Sequence, residues 1–137
     1  MIEIREEKRF NPFFRSLKAK ETDQGIELSV GTIHHMHEGE LVTGELPAVF
    51  IKLDADEDKK YPVLYDLYIT MDVEKNHAYH LDKSYMSPDQ MPCYAGSDYL
   101  VLTLLSIRVG VEGEREGYIN AFTERVIEDE RIDTQRN

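Results

Sequence analysis

Apolar side chains in this chain recur with a period of two, and that alternation limits the fold more than any other feature. Successive side chains of an extended strand point to opposite faces, so alternation marks a strand with one face buried. Ile26, Leu28 and Val30 alternate with Glu27, Ser29 and Gly31. Val49, Ile51 and Leu53 share a face. Val63, Tyr65, Leu67, Ile69 and Met71 make an apolar face, while the opposite side carries Asp66, Thr70 and Asp72 and is read as solvated. Tyr99–Val109, "YLVLTLLSIRV", is apolar on both sides through its first half. It therefore predicts a strand covered on both faces, with Leu102, Leu104 and Leu105 buried.

Turn chemistry falls between these runs. Glu38-Gly39 separates Thr32–His37 from Glu40–Thr43 and predicts a hairpin. Val73–Asn76 predicts a turn, with His77–Leu81 as the return strand. Asp54–Lys60, Ser87–Gly96 and Gly110–Gly117 read as loops. About seven short strands at this spacing predict a mainly β chain, a small antiparallel β-sandwich or barrel. With 137 residues it should be one domain with a core that needs no covalent staples. The body is placed at 23–137 and an irregular N-terminal arm at 1–22, because Asn11-Pro12 splits any helix there. Tyr118, Phe122 and Val126 recur every four residues, and Ile119 and Ile127 lie eight apart, which predicts a short C-terminal helix over Tyr118–Glu130.

Several function classes lose support. The chain carries 27 acidic and 16 basic residues, a formal charge of −11, which disfavours binding to nucleic-acid phosphates. The acids are scattered, which fits a solubilising surface better than mimicry of DNA. No apolar run reaches the roughly 18 residues of a membrane span. The charged start, Met1–Lys8, is not a signal peptide. Cys93, the one cysteine, cannot form an internal disulfide and reads as a neutral thiol rather than a nucleophile. No phosphate-binding glycine loop, Gly-x-Ser-x-Gly or His-Glu-x-x-His is present, and Glu38 with Glu40 reads as a surface pair. No catalytic residue and no cofactor is expected.

Three of the five histidines lie in Thr32–Gly39, "TIHHMHEG". On a strand His35 and His37 share a face, and His34 points away. One chain thus offers a His-x-His pair with no third ligand nearby in sequence, short of a tetrahedral zinc set. The expected state is a solvent-accessible hairpin tip. A metal at His35 and His37 would need a three-fold axis to bring three such pairs together. His77 and His80 fall on opposite faces in the strand reading.

The order of the segments resembles a domain of tail-fibre, baseplate and other appendage proteins of tailed phages and prophages. "SVGTIHHMHEGELVTG" is followed by "LPAVFIKLDA" and then by "YPVLYDLYITMDVEKNHAYHLDKS". "PDQMPCYAGSDYLVLTLLSIRVGVEG" and "YINAFTERVIEDERIDTQRN" complete the series. The similarity spans roughly Gly25–Arg136 and is best at Ser97–Val109 and Asp129–Thr134. Residues Met1–Asp23 have no counterpart in that domain, which is usually part of a longer fibre chain. The resemblance implies a structural or attachment module, trimeric, non-enzymatic and found in the virion. It also gives the His35/His37 pair a precedent, since some phage spikes hold iron with His-x-His motifs from three chains.

The leading expectation is therefore a phage or prophage virion protein that self-assembles and docks onto other virion proteins, with no nucleic-acid or membrane partner. Phe10, Phe13 and Phe14 of the arm, with Leu64 and Tyr68 on the polar face of their strand, are the expected interface residues. The alternative is a small acidic inhibitor, an anti-defence or immunity protein, that covers a basic site on a partner enzyme. A third reading, a small β-barrel enzyme or ligand-binding protein, would use the Tyr and His side chains.

Overall fold

In a computed structural model, described here for residues 2–5, 12–85, 98–120 and 124–127, the chain is built from strands. They are β1 (Ile2–Arg5), β2 (Phe13–Arg15), β3 (Lys18–Glu21), β4 (Gly25–Leu28), β5 (Gly31–His37), β6 (Glu40–Leu46) and β7 (Val49–Lys52). They continue as β8 (Val63–Met71), β9 (His77–Tyr85), β10 (Tyr99–Val109), β11 (Arg115–Asn120) and β12 (Glu124–Ile127). Three sheets result, with orders β1-β11-β10-β8-β9, β12-β3-β4-β7 and β2-β5-β6. Most pairings are antiparallel, and none of the sheets closes into a barrel. Among the described residues no helix is long and apolar enough to cross a membrane.

One hydrophobic core joins the three sheets. Ala19, Ile26, Leu28 and Ile51 come from the four-stranded sheet, and Ile33 and Leu46 from the three-stranded one. Val63, Tyr65, Leu67, Ile69, Leu105, Ile107, Val109 and Ile119 come from the five-stranded sheet. The alternating residues within β4, β7 and β8 thus bury the face that their period marked, whereas Val30, two residues past the end of β4, is 66 % exposed. The Tyr65 hydroxyl pins the β7–β8 connection by accepting from Asp54 N–H and donating to Asp54 C=O, both at 3.0 Å.

Leu102, Leu104 and Leu105 are all buried, as expected. The reason is partly different from the one the apolar run suggests. β10 breaks register against β8 between Leu100 and Leu102 and again between Thr103 and Leu105. Each bulge inserts an extra residue and shifts the phase of the strand. Leu102, Leu105, Ile107 and Val109 consequently stand opposite Ile69, Leu67, Tyr65 and Val63, all on the core face. The run looks apolar on both sides because its period slips, and Leu100 at its start is in fact exposed.

Two expectations are corrected. Tyr118–Glu130 does not form a helix in its described part: Arg115–Asn120 pairs with both β10 and β1, and Glu124–Ile127 pairs in parallel with β3. Spacings of four and eight are even numbers, so they satisfy a two-residue period as well as a helical one. The face of β8 read as solvated is also covered, since Asp66, Tyr68 and Thr70 are all buried. Within residues 1–22, the described segments are strands, each bonded to a strand of the body or its C-terminal part. Ile2, Leu17 and Ala19 of that arm lie in the core.

Candidate functional site

The hairpin of β5 and β6 turns at Glu38 and Gly39, whose φ angles of 50° and 80° are both left-handed. Two such residues suit a two-residue turn that follows the twist of its strands. Alternation along β5 then sends His34 and Met36 outward and Ile33, His35 and His37 inward. Of the inward residues, His35 meets β9, the edge strand of the five-stranded sheet, His37 meets Tyr99 at the start of β10, and Ile33 enters the core.

His35 is buried, and its Nε2 lies 2.7 Å from His77 Nε2 on β9. The two rings meet edge to face, with centroids 5.0 Å apart. This overturns the expectation that the whole "HHMH" stretch is solvent-accessible. The geometry also assigns the protons. His35 Nδ1 lies 3.3 Å from the Met36 carbonyl, which can only accept, so Nδ1 carries the hydrogen. Neutral His35 is then bare at Nε2, and His77 Nε2–H donates to it. His77 Nδ1 is left as an acceptor, buried and with no hydrogen-bond partner.

Gly44 makes room for this arrangement. It sits in β6 opposite Ile33, and a Cβ built on it would fall 1.9 Å from His77 Nδ1. Burial holds His35 below the ordinary histidine value, offset by its bond to Met36 and reinforced by His37. Burial, together with the neighbouring His35, pushes His77 down to about 4, although Asp72 opposes this. Both rings are therefore neutral at pH 7. Around them, Glu40 pairs with Lys75 at 3.3 Å, and Asp72 accepts from the Glu74 and Asn76 amides, which fixes the turn that carries His77.

The other histidines do different work. His37 packs on Tyr99 and lies 3.8 Å from the Glu38 carboxylate. His34 stacks on Phe13 and bonds Thr43 and Thr32 through its two nitrogens. His80 stacks on Tyr68 and bonds Thr70 on the opposite face of β9 from His77. Among the described residues no three His, Cys, Asp or Glu side chains converge as metal ligands. For His35 and His37 to serve a three-fold axis, His35 would have to leave His77.

The expected interface residues scatter. Phe13 is 40 % exposed, while Phe14 is half-buried against the core. Leu64 is half-buried and Tyr68 fully buried, so β8 offers little free surface there. Phe10 lies outside the described residues, as do Cys93 and the tail from residue 128. The outer face of the three-stranded sheet is more apolar than expected. Phe13 and His34 are cross-strand neighbours on it, as are Met36, 45 % exposed, and Leu41, 63 % exposed.

Sequence reasoning missed His77 and Gly44 as partners of His35. A glycine inside a strand marks a close approach to that face, so Gly44 in "ELVTGEL" was the available signal. It gave no hint of what approaches.

Comparison with known proteins agrees with the architecture. No curated protein matches the chain. A crystal structure of the gene 22 product of the Bacillus subtilis phage SPP1 is similar, with a TM-score of 0.70 and 30 % identity over 94 % of each chain. The model of the Gp22 family matches residues 2–130, nearly the whole sequence, and the chain accordingly belongs to the Gp22 family and is a phage protein.

Proposed function

We propose that this phage protein is a structural or attachment component of the virion that associates with itself and docks onto other virion proteins. The observation that carries the reading is the outer face of the β2-β5-β6 sheet. Phe13, Met36 and Leu41 stand exposed there, bordered by Thr32, Thr43 and Glu45. An exposed apolar face with a polar rim is what a protein interface requires. In this reading the chain is no enzyme and needs no cofactor. The membership in a phage family, together with the resemblance of its segments to appendage domains, supports the same conclusion.

Mass spectrometry of purified particles of the encoding phage tests it. The chain should be present in fixed proportion to the other structural proteins. Its absence from particles, with the full amount in the soluble lysate, overturns the reading. That outcome would favour an acidic inhibitor of a basic partner enzyme, for which the charge of −11 is the supporting observation.

A further inference from the structure

Two sheets meet at the His35–His77 contact, beside the packing of β6 on β9 at Gly44 and the Glu40–Lys75 ion pair at the tip of the hairpin. The pair holds one proton between its facing nitrogens, donated by His77 and accepted by His35. A first additional proton has only His77 Nδ1 to occupy without breaking the contact. That atom is buried with no acceptor beside it, so the new N–H and its charge go unsatisfied. A second proton, on His35 Nε2, sets two N–H groups head to head at 2.7 Å and the contact cannot survive. Gly44, packed against the His77 ring, has no side chain that could accept the new N–H.

We propose that the His35–His77 contact is a proton-sensitive latch, closed when both rings are neutral, whose protonation loosens the outer part of the β5–β6 hairpin against β9 while Ile33 and Leu46 stay in the core. The apolar outer face of the three-stranded sheet belongs to that same hairpin, so the latch would set how this face is presented. This goes beyond the virion reading and does not depend on it.

The groups that face the pair modulate it without cancelling it. From β5, His37 adds repulsion once it is charged, and Glu38 beside it offsets part of that. From β6, Glu40 is engaged by Lys75. From the turn before β9, Asp72 favours a charged His77, but its Oδ1 already accepts from the Glu74 and Asn76 backbone amides and its Oδ2 from the Asn76 side chain. Tyr79, two residues on and on the same face, is held neutral by burial and supplies no charge. Tyr99 packs on His37. The sign follows from linkage. Histidines held below their ordinary value take up protons more readily when released. The latch is thus fully closed above about 6.5 and opens as pH falls toward about 4.

Hydrogen exchange of the full chain between pH 7.5 and 4, followed residue by residue, tests the proposal. After correction for intrinsic exchange chemistry, amides of His34, His35, Val42 and Thr43 should lose protection relative to Ile107 in β10. The loss should approach about tenfold per pH unit for each proton taken up. The variant carrying His35→Leu and His77→Leu should show no such pH-dependent loss. Equal protection of the hairpin and β10 at every pH overturns the proposal, and so does the same loss in the double variant. Should that variant fail to fold, the imidazole nitrogen shifts of the native chain decide. Titration of His35 and His77 below pH 6 supports the latch, and ordinary midpoints near 6.5 overturn it.

Discussion

At Gly44 a single methyl group would stand 1.9 Å from His77 Nδ1, well inside contact distance. Gly44→Ala should therefore displace the His77 ring or the β6 backbone and cost about 1–3 kcal/mol, the usual range for overpacking. Urea unfolding checks this, and the cost should shrink when His77→Ala is present as well. Asp66 is a second residue whose neighbours set its behaviour. It lies buried on β8, directly opposite Asp82 on β9 and Ser106 on β10. Burial raises its carboxyl above the usual range, the Ser106 hydroxyl works against that, and the Asp82 charge adds to it. A carboxyl with a raised value in the folded state binds protons better when folded, so its contribution is full below the unfolded value of 3.8 and is lost as pH rises from there through the raised folded value. Asp66→Asn keeps an acceptor for Ser106 and removes the charge. It should stabilise the chain at pH 7 by about 1 kcal/mol, the scale of a like-charge pair placed directly across two strands. The gain should vanish below pH 4, and thermal unfolding at both pH values measures it. Neither environment was legible in the sequence. Single residues announce their face through alternation, but the partner across a sheet junction lies dozens of positions away and leaves no periodic trace.

Strands were legible where alternation was unbroken. Ile26–Leu28, Val49–Lys52 and Val63–Met71 carried a steady period and bury the marked face. The Glu38-Gly39 turn was equally plain, because few residue pairs accept two left-handed φ angles. Two kinds of element were not readable. β10 hides two bulges, which make its period look like a fully apolar run. The C-terminal strands carry even spacings that suit helix and strand alike, and the decision is made by distant partners, β1 and β3. Parallel pairing of this sort joins the two ends of the chain and has no local signature. β10 also shows where the stability of the element resides. Leu105 stands between Leu67 on β8 and Ile119 on β11, and no part of it is exposed. Leu105→Ala should cost about 2–5 kcal/mol in chemical denaturation, because the strand is held on both sides and cannot collapse into the cavity. A loss under about 0.5 kcal/mol would place Leu105 outside the packed core.

For the whole molecule the decisive quantity is the balance between an apolar face and a charge of −11. The N-terminal arm cannot be deleted to test assembly, since Ile2, Leu17 and Ala19 belong to the core. Surface substitutions are the cleaner route. A standard interface takes about 800 Å² from each partner, roughly a tenth of the 8921 Å² that one chain exposes. The outer face of the β2-β5-β6 sheet can contribute to such an area through Phe13, Met36 and Leu41. Copies of one acidic chain repel each other, and salt screens that repulsion, with a Debye length of about 8 Å at 0.15 M. Self-association should therefore strengthen as salt rises from about 0.05 to 0.5 M, because the apolar attraction remains while the repulsion fades. An acidic inhibitor on a basic target must do the reverse and bind best at low salt. Light scattering coupled to size exclusion at micromolar protein separates the two. The expected result is an oligomer, a trimer on the virion reading, that shifts toward monomer at low salt and in Leu41→Lys. Leu41 is 63 % exposed, so that substitution should leave the unfolding midpoint of the monomer nearly unchanged. A particle of 15.9 kDa at every salt concentration would overturn self-association through this face and favour the inhibitor reading.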